Sequence, residues 1–170
     1  MSLKPTIDNL RDLGHHATTY DWGIQFISLP SLITGFTTAD LNTRCFSTQV
    51  PRRRINTIPI ELRGHRIFQH GTIDYGNTLN ISLYETVNNK VSDFLDAYMS
   101  IQWTPISGAQ VPKSLNQSSF LLTLLDSEQN ARKYYTIVGA WLQGYNEVEL
   151  QSGDSGIITY QTTWQFDYFL

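Results

Sequence analysis

The chain has 170 residues and a mass of 19.4 kDa, which fits one domain of ordinary size. Its net charge of −3 and pI near 5.7 argue against a protein that grips nucleic acid by its phosphates, because such a protein needs a basic surface. A single cysteine, Cys45, excludes an intramolecular disulfide and a cysteine-based zinc site.

Charged residues make up only 16% of the chain and aromatic residues 12%. This balance suits a protein that hides much of its surface in subunit contacts, and it suits any β-rich domain equally well. The first residues lack the charged start and apolar run of a signal peptide, and no apolar stretch approaches the ~20 residues that cross a bilayer. We therefore expect a single domain over residues 1–170 that is made in the cytoplasm and does not insert into a membrane.

The predicted elements begin after a polar segment, residues 1–18, which we expect to be irregular apart from a short helical turn over Thr6–Leu13. Strand-forming residues then predict a strand over Thr19–Leu29, which Pro30 ends. A second strand is predicted around Thr43–Gln49, with Cys45 as a core residue.

The segment from Arg52 to Tyr75 is predicted to be a projecting arm. It holds two β-rich runs, Ile55–Leu62 and Arg66–His70, and Pro59 in the first run cannot donate a ladder hydrogen bond. Such a strand belongs at an edge or bulge, so we expect the arm to contact a neighbouring subunit. The candidate interface residues are Arg52, Arg53, Arg54, Ile58, Pro59, Glu61, Arg63, His65 and Arg66. For the three consecutive arginines, phosphate binding and a solvated loop also stay open.

The next stretch predicts a strand and then the single helix. Thr78–Glu85 alternates, with Leu79, Ile81 and Leu83 on one face and Asn80, Ser82 and Tyr84 on the other. Val87–Gln102 is predicted to be an amphipathic helix with Asn88 as its N-cap. Its apolar face comprises Val91, Phe94, Leu95, Tyr98 and Ile101.

The C-terminal part predicts three more strands, over Ser119–Leu125, Lys133–Trp141 and Ile157–Leu170, with an irregular segment over Gly144–Gly156. In the last strand Ile158, Tyr160, Thr162, Trp164, Phe166 and Tyr168 share one face, and Thr159, Gln161, Thr163, Gln165 and Asp167 share the other. The fold is therefore predicted to be mainly β, a β-sandwich or β-barrel of roughly six to eight strands with one packed α-helix and an extended β-hairpin arm.

Catalytic and metal-binding patterns are weak. His15 and His16 are adjacent, and His65 and His70 are expected on opposite faces of a strand, so neither pair converges on a metal. Asp93 and Asp96 lie on the polar face of the predicted helix, and no phosphate loop, dinucleotide fingerprint or nucleophile elbow occurs. We expect no enzyme activity, metal or cofactor.

An ordered set of motifs resembles the tail tube proteins of contractile-tailed phages. The set runs from Ile58-Pro59-Ile60 through Gly71 to Glu85, then Asp93-Phe94-Leu95-Asp96, Val138-Gly139-Ala140-Trp141, Asn146, Val148-Glu149-Leu150 and Phe166-Asp167-Tyr168. The similarity spans about Thr19 to Leu170. One departure is Leu142, where that family commonly has proline.

This resemblance implies a structural subunit that forms hexameric rings stacked head to tail inside a contractile sheath. Its implied partners are further copies of itself, the tail sheath protein, and the baseplate and tail terminator proteins, in a virion tail assembled in the host cytoplasm. DNA would pass through the lumen without specific binding, which favours a neutral polar wall. The candidate lumen residues are Asn80, Ser82, Thr159, Gln161, Thr163 and Gln165.

Several alternatives remain open. The chain is also compatible with a tube-initiating ring or adaptor at a baseplate or tail terminus, which copy number would distinguish, and with the tube of a phage-derived injection system. A small β-barrel that binds a ligand or sugar is a candidate from another class, because the Trp and Tyr content permits it.

Overall fold

The computed structural model describes Ile7, residues 19–150 and residues 156–170. These residues form strands β1 (Trp22–Ser28), β2 (Cys45–Thr48), β3 (Arg54–Leu62), β4 (His65–Asp74), β5 (Thr78–Tyr84), β6 (Ser118–Leu125), β7 (Ala131–Tyr145), β8 (Thr159–Gln165) and β9 (Tyr168–Phe169), and helices α1 (Thr38–Asn42) and α2 (Lys90–Gln102). The predicted mainly-β fold with a packed helix and a hairpin arm is confirmed, although the described residues form nine strands instead of six to eight and a second, short helix. Apart from Ile7, the expectations for residues 1–18 lie outside the described residues.

The main sheet is antiparallel and has the strand order β1-β6-β7-β8-β5-β2, with β9 added beside β7. Strand β7 is long enough to pair first with β6, up to Ala140, and then with β8 from Trp141 onward. Gly139 lies at this change of partner with a φ of +69°, where a Cβ would come within 2.2 Å of an Asp167 carboxylate oxygen. Because glycine tolerates this φ and leaves room for Asp167, β7 can change from pairing with β6 to pairing with β8 at this point.

The core lies on the inner faces of this sheet and against α2. Leu79, Ile81 and Leu83 are fully buried, which confirms the alternation predicted for β5. The centre of the core is the indole of Trp164, whose ring centroid is 4.9 Å from that of Phe120 and 5.3 Å from that of Tyr98. Of the predicted helix face, Val91, Phe94, Leu95 and Tyr98 are fully buried and Ile101 is partly buried beside them.

The start of α2 differs from the prediction. The helix begins at Lys90 rather than Val87, and the N-cap is Asn89 rather than Asn88, with a left-handed φ of 52° and no capping hydrogen bond from its side chain. The carboxylate of Glu85 supplies the cap instead, because it accepts hydrogen bonds from the backbone N–H groups of Val91 (3.1 Å) and Ser92 (2.8 Å). Partial burial disfavours its charge, but backbone hydrogen bonds outweigh this and lower the pKa of Glu85.

The predicted strand Ile157–Leu170 is wrong as a single element. β8 ends at Gln165, the chain bends at Asp167, and β9 covers only two residues. The bend shifts the alternation, so that Phe169 is buried with 3% exposure whereas Tyr168 is 41% exposed. The predicted apolar face is therefore correct as far as Phe166. Beyond the bend, the buried residue is Phe169 and not the predicted Tyr168.

Other boundaries also differ from the predictions. The short helix α1 precedes β2, and β2 is shorter than the predicted Thr43–Gln49. Strand β7 runs on to Tyr145, four residues beyond its predicted end and into the predicted irregular segment. Cys45 packs against the core but is only partly buried, and this burial raises the pKa of its thiol to about 12.

Candidate assembly surfaces

The arm is a two-stranded sheet of its own, formed by β3 and β4. A two-residue turn joins the strands, with Arg63 at φ 49° and Gly64 at φ 84°, between the paired residues Leu62 and His65. Positive φ at both positions fits the tight hairpin turn whose twist matches that of the strands. With nine residues in β3, the arm extends for roughly 30 Å.

A bulge bends the arm near its base. Ile55 pairs with Ile73 whereas Thr57 pairs with His70, so Asn56 alone opposes two residues of β4. One of these two is Gly71, where a Cβ would lie 2.7 Å from the backbone oxygen of Asn56. Glycine is therefore needed for the close approach of the two backbones, and the bulge gives the ribbon an added twist.

Apolar side chains cover both faces of the arm. Directly paired residues share a face, so one face carries Ile58, Ile60, Leu62 and Ile67 and the other carries Ile55, Pro59, Phe68 and Ile73. Seven of these are large apolar residues with exposures between 39% and 71%. A hairpin of two strands is marginal by itself in water, and an exposed apolar ribbon marks a surface that a partner covers.

The predicted interface residues divide into two groups. Near the tip, Arg66 lies 3.6 Å from the Glu61 carboxylate and its guanidinium lies over the Phe68 ring, while Arg63 occupies the turn. The ribbon also exposes the side chains of Ile58, Pro59 and His65. This arrangement keeps the tip residues available to another molecule.

The second group lies at the base of the arm, where Arg53 is engaged within its own chain. Its Nη2 donates to the backbone oxygen of Phe169 at 3.0 Å, and its guanidinium carbon lies 4.6 Å from the centroid of the Phe169 ring. Arg52 lies beside Gly76, and Arg54 pairs with Asp74 at the start of the arm. Arg53 thus anchors the arm to the domain.

The predicted lumen residues come together on one face of β5 and β8. Cross-strand pairing places Asn80 opposite Thr163 and Ser82 opposite Gln161, with Tyr84 opposite Thr159 and Thr78 opposite Gln165 in the same register. Thr163 Oγ1 lies 3.2 Å from Asn80 Oδ1. The result is a continuous polar face without a formal charge.

The end of β7 and the residue that follows it extend this polar face in a way that the sequence did not indicate. Gln165 Nε2 donates to Gln143 Oε1 at 2.8 Å, and the Gln161 backbone N–H donates to Asn146 Oδ1 at 2.6 Å. Gln143, Asn146 and Gln161 border a shallow depression of about 620 Å³. Only knowledge of where β7 ends could have added Gln143 and Asn146 to the predicted set.

Asp167 does not belong to the polar face. It lies beyond the bend that ends β8, and its carboxylate forms an ion pair with Lys113. The prediction failed because it continued the alternation through the bend.

The opposite face of the same two strands is the core. Thr162 is fully buried there, and its hydroxyl donates to the backbone oxygen of Ile81 while accepting the indole N–H of Trp164, both at 2.8 Å. The single polar residue on this face is therefore fully satisfied.

In the described part of the chain, no cluster of His, Cys, Asp or Glu could hold a metal ion. Asp96 accepts a hydrogen bond of 2.5 Å from the Tyr145 hydroxyl, which raises the pKa of Tyr145 to about 12 and braces α2 against the end of β7.

Across residues 19–150 and 156–170, neither helix has the length and apolar character that crossing a bilayer requires.

Among comparisons with known proteins, only the comparison with solved structures finds similar chains, and it shows the fold. No protein-family model matches the sequence, and no curated protein matches it either. A chain in the cryo-EM structure of the anti-feeding prophage baseplate, which is six-fold symmetrised, superposes with a TM-score of 0.64 at 11% identity, covering 92% of this chain and 95% of that one. A chain of the anti-feeding prophage tube-terminating cap gives a TM-score of 0.60 at 12% identity, covering 92% and 90%.

A third similar structure comes from an extracellular contractile injection system. One chain of its sheath–tube complex in the extended state gives a TM-score of 0.60 at 11% identity and covers 98% of this chain and 97% of that chain. This chain therefore has, over almost its whole length, the fold of proteins found in baseplates, caps and sheath–tube complexes of contractile machines.

Proposed function

We propose that the chain is a structural subunit of the tube of a contractile tail, forming hexameric rings that stack around a channel. The observation that carries this proposal is the arm, which projects from a complete core and exposes apolar side chains on both of its faces. The similar structures support it, since one of them is a sheath–tube complex and another is six-fold symmetrised.

The channel wall in this proposal is the polar face of β5 and β8. DNA carries one negative charge per about 1.7 Å of helix axis, so even weak basic contacts would bind it tightly when every ring repeats them. The six predicted lumen residues are uncharged, which suits a wall along which DNA slides. The sheath, baseplate and tail terminator proteins are the proposed partners, in the tail of a virion assembled in the host cytoplasm.

The proposal is tested by sedimentation velocity of the purified protein over a wide range of concentrations. We expect a species of ring size that grows into longer assemblies as the concentration rises. A monomer at every concentration would contradict the proposal, and it would favour the small ligand-binding domain instead.

A second candidate is a ring at one end of the tube, because two of the similar structures are a baseplate and a tube-terminating cap. Copy number separates the two roles, since a tube subunit is present in great excess over sheath-end or baseplate proteins. Quantitative mass spectrometry of purified particles measures it. Finding as many copies as of the baseplate proteins would assign the chain to a terminal ring.

A further inference from the structure

A cleft of about 440 Å³ opens where α2 ends, beside the part of β7 that no longer pairs with β6. Its lining includes Trp103 and Trp141 together with Gln110 and Asn116. Trp103 is 48% exposed although it pairs with Gln110 in an isolated bridge. The cleft thus offers aromatic surface to the outside that the core does not use.

A buried acceptor without a partner lies in this cleft. Asn116 is only 6% exposed, and among the described residues nothing donates to its Oδ1. The backbone of Asn116 is held in place, because its N–H donates to the backbone oxygen of Lys113 at 3.0 Å and its backbone oxygen accepts from the Tyr98 hydroxyl at 2.9 Å. The unpaired side-chain oxygen itself has almost no accessible surface, so it belongs to the polar lining of the cleft and lies out of reach of a donor on another molecule.

The electrostatic character of the cleft favours a donor that carries positive charge. Gln102 also lines the cleft and uses its Nε2 to donate to the backbone oxygen of Leu142 at 2.8 Å, which leaves its side-chain oxygen as the acceptor for a partner. The charge of Lys113 is compensated by Asp167. A guanidinium has only donors and stacks on indole rings, so it matches both this acceptor and the tryptophans of the cleft.

The chain already uses this mode of recognition once. Arg53 lies over the Phe169 ring and donates to a carbonyl oxygen in its own chain. Of the arginines in the described residues, Arg52, Arg54 and Arg63 have side chains that make no hydrogen bond, ion pair or ring contact. Of these three arginines, only Arg63 lies at the far end of the arm, in the exposed turn.

We propose that this cleft receives Arg63 from a second copy of the chain, with the guanidinium stacked on Trp103 and donating to Gln102 Oε1. The inference rests on the proposed function in one respect, namely that the arm contacts a neighbouring subunit. It goes further by identifying the receiving site and the chemistry that recognises the arm.

Disulfide trapping tests the contact directly. Arg63→Cys and Gln110→Cys are made separately in a Cys45→Ser background, mixed in equal amounts and oxidised, so that a mixed dimer forms only between copies. The matched control replaces Arg63→Cys by Arg54→Cys, at the base of the arm. We expect a mixed dimer for the first pair and little for the control.

Assembly measurements supply a second test. Arg63→Ala is expected to raise the critical concentration for assembly about tenfold, Arg54→Ala less than about twofold, and Trp103→Ala about as much as Arg63→Ala. If the two residues touch, the double variant is no worse than either single variant. Additive effects would overturn the inference.

The outcomes separate this inference from the proposed function. Rings or tubes without the mixed dimer would overturn the inference alone and leave a cleft that holds only water. A mixed dimer without rings or tubes would support the cleft contact and contradict the tube role. Absence of both would contradict both.

Discussion

Removing the arm should abolish assembly while leaving the domain folded. Arg54 and Asp74 are directly paired at its base, so residues 55–73 can be replaced by an Asn-Gly turn that closes a short hairpin. None of the buried core residues lies within the deleted segment. The free energy of unfolding should therefore change by less than about 1 kcal/mol, as is usual for changes away from the core.

The effect on assembly should be much larger. The arm exposes seven large apolar side chains. Covering the exposed half of each contributes roughly 1 kcal/mol, so several kcal/mol per subunit are lost with the arm even after the costs of ordering the interface. This corresponds to an increase of more than about a thousandfold in the critical concentration.

Thermal unfolding and sedimentation velocity measure the two effects on the same sample. The matched control is Trp164→Ala, which removes the central core side chain and should destabilise the fold by about 3 to 5 kcal/mol. A deletion variant that fails to fold would show that the arm is part of the core. One that still assembles at the wild-type concentration would show that the arm is no interface.

Three further predictions concern the channel, the helix cap and the bulge. Replacing Gln161 and Gln165 together by lysine should leave tubes intact but slow DNA ejection at low salt, with recovery at high salt; normal ejection at all salt concentrations would exclude this face as the wall. Glu85→Ala should cost about 1 kcal/mol at pH 7. Since the folded-state pKa of Glu85 is lowered from 4.5, this difference should shrink as the pH falls below that value, and a thermal unfolding difference that is the same at pH 7 and pH 3 would refute the carboxylate cap. Gly71→Ala should weaken assembly without lowering the melting temperature of the core, whereas the control Gly23→Ala, with nothing within 4 Å of the added Cβ, should assemble normally.

Elements with an uninterrupted period could be predicted from the sequence. The alternation of β5 placed Leu79 in the core and Asn80 on the polar face, and the helical spacing of Val91, Phe94, Leu95 and Tyr98 identified the buried side of α2. Pro59 indicated correctly that its strand lies outside the main sheet, because a residue without an N–H is poorly suited to a central strand.

Features set by contacts between distant segments could not be predicted. The bend at Asp167 depends on Lys113 and on the space above Gly139, and the cap of α2 comes from Glu85, five residues before the helix begins. The cleft beside Trp103 exists only where the end of α2, the following loop and β7 come together. Sequence periodicity carries no information about contacts between segments that are distant in the chain, so the cleft was absent from the predicted sites.

Cryo-electron microscopy of the purified protein at high concentration tests the central claim most directly. The account predicts stacked rings of six subunits, with Asn80 and Gln161 facing the channel and each arm lying on a neighbouring subunit. Monomers alone at every concentration, or rings in which the polar face of β5 and β8 points away from the channel while charged residues line it, would contradict the account.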